Sequence, residues 1–260
     1  MRVYTFGDCN NKSIMLIPGT CCHYLKTFGE VIPLLSDRYY VNVVSFTGFD
    51  ENAGCSETFI SEEDECKRIE DYIIEKLGGS VDAVYGCSLG GSFVGLMIQH
   101  GRVHIGCGII GSSDMDQAGA LTAAIQSRIV TPMLYKIMQT GELPRIFRKR
   151  MEKNQSEYMD KMLGLFGVGS NDMKFVSKKS IYNQFYTDLI TPLDDGISAE
   201  GTTICVFYAK KMGSRYIDRY KKYFKNPVIF EQDMQHEELL ACYPKEWAAL
   251  VEDCVSKYCI

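Results

Sequence analysis

The sequence predicts an α/β fold: a mostly parallel sheet covered by helices, with a helical insertion in its second half. Three observations carry this. Short apolar runs of strand length alternate with segments of helical periodicity before residue 114 and again after residue 198. A glycine-rich junction, Gly86-Cys87-Ser88-Leu89-Gly90-Gly91, joins one such strand directly to the next helix. Between these two stretches no convincing strand occurs, and the segments 121–138 and 143–165 read as helical.

In chain order, residues 2–6 and 13–17 are β-prone runs separated by the turn-rich Gly7-Asp8-Cys9-Asn10-Asn11, a pattern that reads as a hairpin within one sheet. Residues 39–46 form a buried strand ending at Thr47-Gly48. A helix follows over 61–77, with Ser61 placed to cap it, carboxylates in its first turn where the positive helix end favours them, and Gly78-Gly79 to stop it. Residues 81–85 are a strand, 92–100 an apolar helix ending at Gly101, and 103–110 another strand. After the insertion come a strand at 202–208, a helix at 214–224, a strand at 228–231 and a closing helix over 244–258.

Composition narrows the function classes. An apolar fraction of 46% with 23% charged residues fits a soluble globular chain and excludes disordered or fibrous classes. A formal charge of −5 offers no basic footprint for a phosphate backbone, so nucleic acid is not an expected partner. The N-terminus lacks a signal-peptide apolar run and no run of membrane-spanning length occurs, so a cytoplasmic protein without membrane insertion is expected. The eleven cysteines are then expected as free thiols. Cys87, Cys107 and Cys205 sit in apolar runs where a thiol behaves as a small hydrophobe. With no Cys-x-x-Cys pair and few histidines, none at ligand spacing, no metal site is expected.

The junction at 86–91 carries the chemistry. A serine at the tip of a sharp strand-to-helix turn is held in a strained backbone, and the glycines two before and two after it are needed because larger side chains would collide with the neighbouring turn. This projects the Ser88 hydroxyl outward. The Leu89 N–H lies at a helix N-terminus, where unpaired donors favour developing negative charge. Cys87 as nucleophile would have Tyr85 and Leu89 as its flanking positions, which break the glycine requirement, so it is read as packed beside the sheet.

The segment resembles the nucleophile elbow of the α/β-hydrolase fold superfamily. That resemblance implies an α/β-hydrolase core over 1–114 and 198–260 with a helical cap inserted over 115–197. Leu16-Ile17-Pro18-Gly19-Thr20-Cys21-Cys22-His23 is similar to the family's oxyanion loop, with proline where histidine usually stands. The resemblance assigns the second oxyanion N–H to Thr20 and leaves His23 near the mouth of the site. The family's general base follows the last strand, which here selects His236, while His100 and His104 bracket a helix-to-strand turn on the opposite edge of the sheet from the elbow and are read as surface residues. The triad acid normally follows the strand at 202–208, but Ala209-Lys210-Lys211-Met212-Gly213-Ser214-Arg215 contains none. The family's variant position after the preceding strand selects Asp114, with Asp116 behind it.

The resemblance thus implies a serine hydrolase acting on a small-molecule carboxylic ester or similar acyl compound, without a cofactor. The cap is expected to supply apolar walls to a partly apolar substrate. Two alternatives share the scaffold: a non-catalytic ligand-binding or interaction protein, and an acyltransferase or peptidase using the same residues.

Overall fold

The computed structural model describes residues 1–52, 57–143, 156–170 and 172–259. Among the described residues seven strands form one sheet: β1 (Arg2–Phe6), β2 (Ser13–Ile17), β3 (Tyr40–Ser45), β4 (Ser80–Gly86), β5 (His104–Ile110), β6 (Thr203–Ala209) and β7 (Val228–Gln232). Their spatial order is β1-β3-β2-β4-β5-β6-β7, and all pairs are parallel except β1 with β3.

The first two strands do not form the expected hairpin. β1 runs antiparallel to β3, with Arg2 opposite Ser45 and Phe6 opposite Val41, and β3 therefore lies between β1 and β2. The burial of the two runs explains the placement. β2 is almost wholly buried on both faces, which suits a strand with a neighbour on each side, whereas β1 is half-exposed and suits an edge.

Side chains alternate across the sheet and build two cores. Met15, Ile17, Val44 and Val84 face α3 (Glu62–Leu77), α4 (Leu89–His100) and α8 (Arg215–Tyr223). Ile14, Leu16, Val43, Tyr85 and Phe207 face α1 (Tyr24–Phe28), α2 (Ile32–Ser36) and α10 (Pro244–Tyr258). The caps read from sequence are present at α3: the Ser61 hydroxyl accepts from the Asp64 N–H, and Gly78 closes the helix at φ +71°.

Between β5 and β6 lie α5 (Ala120–Thr140), α6 (Glu157–Leu165) and α7 (Lys178–Ile190), with α5 packed on α7. Part of the helical expectation over 143–165 falls on 144–155, outside the described residues. The short α9 (Glu238–Cys242) follows β7 and leads into α10. All ten described cysteines are free thiols; Cys9 is exposed, Cys242 half-buried and the rest buried. Among the described residues no helix is long and apolar enough to cross a membrane.

Candidate active site

Ser88 immediately precedes Leu89, the first residue of α4, and is separated from the end of β4 only by Cys87; it has φ +50° and ψ −115°, a conformation that L-residues rarely adopt. The flanking glycines make it possible. A Cβ on Gly86 would stand 2.1 Å from the Gly90 carbonyl oxygen, and one on Gly90 would stand 2.4 Å from the Ile17 oxygen. Both obstacles are backbone, so neither moves aside cheaply. Gly86→Ala is expected to lower unfolding stability by about 3 kcal/mol or more. Gly164→Ala, where an added Cβ meets nothing within 4 Å, is expected to change it by less than about 1 kcal/mol. Urea unfolding of the two variants checks the contrast.

The loop after β7 brings His236 to the elbow. Its Nε2 lies 3.0 Å from Ser88 Oγ, and the Tyr158 hydroxyl of α6 donates to its carbonyl oxygen at 2.9 Å. The next residue, Glu237, has φ +54°, and this left-handed turn sends its carboxylate beneath the elbow rather than out to solvent. There Oε1 accepts from the Ser88 N–H and from the Ser112 N–H, each at 2.8 Å, and Oε2 accepts from the Tyr85 hydroxyl at 2.8 Å. Three donors thus satisfy the two oxygens of this buried side chain. Burial first, and the Glu237 charge second, push the Tyr85 phenol and the Cys87 thiol well above their usual ranges. Cys87, 2% exposed, is packed in the core.

The Pro18-Gly19-Thr20 turn lies against the nucleophile: a Cβ on Gly19 would approach Ser88 Cβ to 3.4 Å. Thr20 and Ser88 line the same cleft, and Leu89 opens α4, so its N–H has no partner within the helix. The loop is held from the insertion. Gln184 Oε1, fully buried on α7, accepts from the N–H of Cys21, whose φ is +57°. His23 is 8% exposed and caps α1 through Nδ1, with Nε2 3.3 Å from Glu51. It takes no part in the contact between Ser88 and His236.

The cleft at Ser88 encloses about 350 Å³ and is walled by Ile129, Val130, Phe185 and Leu189 from α5 and α7. Three carboxyls, those of Asp114, Asp116 and Asp188, line it as well. Burial first, then the Asp116 charge, hold the Asp114 carboxyl above the usual range, and the His236 ring draws it partly back. Burial first, then the Asp114 charge, hold Asp188 well above it. Arg219 donates to the Asp114 carbonyl oxygen and pairs with Asp116 at 2.5 Å. Asp114 is thus near enough to feel His236, yet no hydrogen bond joins them, and His236 Nδ1 has no acceptor among the described residues.

Sequence reasoning missed Glu237 and Gln184. Nothing in the letters marks a carboxylate whose role depends on a left-handed turn. Gln184 carried a faint signal, since it stands one helical turn before Asp188 and shares its face.

No family model matches the chain, and no curated protein matches it in sequence. Solved structures match it in fold. A protein from Desulfitobacterium hafniense assigned to the α/β hydrolase family superposes with a TM-score of 0.77 at 17% identity, over 97% of this chain and 99% of that one. MenH from S. aureus gives 0.71 at 12% identity, over 99% and 98% of the two chains. A marine microorganism esterase gives 0.69 at 12% identity, over 97% and 98%. The strand order, the strained serine between β4 and α4 and these whole-length superpositions together establish that the chain has the α/β-hydrolase fold.

Proposed function

We propose that the protein is a serine hydrolase of small carboxylic esters or related acyl compounds. The observation that carries this reading is the 3.0 Å contact between Ser88 Oγ and His236 Nε2 at the tip of a strained turn. In the proposed reaction His236 takes the Ser88 proton as Oγ bonds to the acyl carbon. The Thr20 and Leu89 N–H groups hold the resulting oxyanion, and the proton passes to the leaving alcohol as its bond to carbon breaks. Water, deprotonated by His236, then releases the acid and restores Ser88. Each oxyanion donor is expected to contribute about 3 kcal/mol.

The helices between β5 and β6 act as the cap and set selectivity. Their apolar wall favours an aliphatic acyl or alcohol group. The three aspartates that line the same cleft make an anionic substrate costly, since a further negative group would add to the crowding that already raises the Asp114 and Asp188 carboxyls. Butyryl esters are therefore expected to turn over at least tenfold faster, in kcat/KM, than hemisuccinyl esters of the same alcohol.

Labelling with a fluorophosphonate tests the nucleophile. The wild type is expected to react, with labelling lost in Ser88→Ala and slowed in His236→Ala; labelling that persists in Ser88→Ala overturns the proposal. A second reading, a binding protein on this scaffold, is favoured by a His236 Nδ1 that has no acceptor among the described residues. Absence of turnover with every ester, together with absence of labelling, would select it. Competition among water, alcohol and amine acceptors separates hydrolysis from acyl transfer.

A further inference from the structure

At the other end of α4 from the elbow, three ligating atoms of different chemistry converge. Cys66 and Glu70 stand one turn apart on the same face of α3, and His100 closes α4. Cys66 Sγ lies 3.9 Å from Glu70 Oε1 and 3.9 Å from His100 Nδ1, and the last two atoms are 2.7 Å apart. We propose that Cys66, Glu70 and His100 form a binding site for a zinc-class divalent cation, distinct from the Ser88 site.

The distances carry the argument. A circle through atoms at 3.9, 3.9 and 2.7 Å has a radius of about 2.1 Å, and its centre falls inside their triangle. Zinc bonds nitrogen and oxygen at about 2.0–2.2 Å and sulfur at about 2.3 Å, so an ion near that centre meets all three with small adjustments. The largest is between His100 and Glu70. Tetrahedral ligands at these bond lengths stand about 3.3 Å apart, so this pair opens by about half an ångström when a metal replaces the proton between them. A thiolate, an imidazole and one carboxylate select zinc over magnesium or calcium, which take oxygen ligands.

The surroundings suit the ion. Arg102 donates to Glu70 Oε2 at 2.5 Å and to Asp71 at 2.7 Å, which orients the carboxylate and leaves Oε1 toward the thiol. His100 Nε2 lies 3.4 Å from Glu63, the acceptor that favours the tautomer with Nδ1 free. On binding, the Nδ1 proton moves to Nε2 and the Cys66 proton passes to solvent. Cys66 and Glu70 are buried, but the His100 side chain is 23% exposed at the floor of an open cleft, which provides entry and room for a water as fourth ligand. An ion pair of Glu70 with Arg102 requires neither the thiol nor the ring. The metal would brace α3 against the end of α4, about 18 Å along that helix from Ser88.

The test is titration of chelator-treated full-length protein with zinc by calorimetry, and with Co²⁺ by absorption. The expected result is one zinc per chain, a higher Tm with zinc, and a thiolate-to-cobalt charge-transfer band. Cys66→Ser should abolish the band, and His100→Ala should weaken zinc binding by at least about tenfold; His100 is at the surface, so that variant reads the site without risk to the core. Cys9→Ser and Ser88→Ala should bind as wild type. Substoichiometric zinc in the wild type, a cobalt–thiolate band that survives Cys66→Ser, or unchanged affinity in His100→Ala overturns the proposal. All of these results are independent of esterase activity.

Discussion

Ser88→Ala and His236→Ala are each expected to lower kcat for a good ester by roughly 10²- to 10⁴-fold, and the double variant by no more than either alone. The two groups act as one unit, because the serine is a weak nucleophile without a base and the base has no other proton to move. In a serine protease with a complete triad, removing the serine or histidine costs about 10⁶, and removing the acid alone costs about 10⁴. His236 makes its contact with Ser88 but has no carboxylate on Nδ1 among the described residues, so the starting activity here is expected to lack much of the acid's share. The expected loss is correspondingly smaller. A loss near 10⁶ would show that Asp114 swings onto Nδ1 when substrate binds, and Asp114→Asn would then cost about 10⁴ on its own. Unchanged turnover in either single variant would remove Ser88 and His236 from the reaction.

Glu237→Ala is expected to lower stability by about 3–5 kcal/mol, on a par with Gly86→Ala. It strips the acceptor from the Ser88 N–H, the Ser112 N–H and the Tyr85 hydroxyl, all beneath the elbow, and each unsatisfied buried donor costs about 1–3 kcal/mol. Glu237→Gln keeps one oxygen for the two N–H groups and turns its NH₂ toward Tyr85, whose hydroxyl oxygen can accept. Its expected cost is about 1–2 kcal/mol. Turnover should follow the same order, strongly reduced in the alanine variant and largely rescued in glutamine, because the carboxylate fixes the elbow rather than touching substrate. Urea unfolding and kcat measured on the same preparations check both. An alanine variant within about 0.5 kcal/mol of wild type would overturn this role.

Local chemistry decided the elbow and most of the longer elements, whereas the five-residue helices α1, α2 and α9 are too short to show a period in the sequence. Apolar periodicity, the Ser61 cap, the glycine stops and the strand–glycine–serine–glycine–helix order each act within a few residues, so the letters alone disclose them. The same letters pointed to Ser88, which follows a strand and opens a helix, and, through the resemblance to the α/β-hydrolase family, to His236, which follows the last strand. Asp114 was placed near the site by the same logic, but the hydrogen bond its role would require is a matter of ångströms that no spacing encodes. The tertiary structure decided whatever depends on partners distant in sequence. It put β3 between β1 and β2, because the sheet seats the doubly buried run inside and the half-exposed run at its edge. It turned Glu237 under the elbow, laid Gln184 against the oxyanion loop and brought Cys66, Glu70 and His100 together from two helices. Short-range preferences are written residue by residue, whereas these contacts exist only once the sheet has fixed where its helices end.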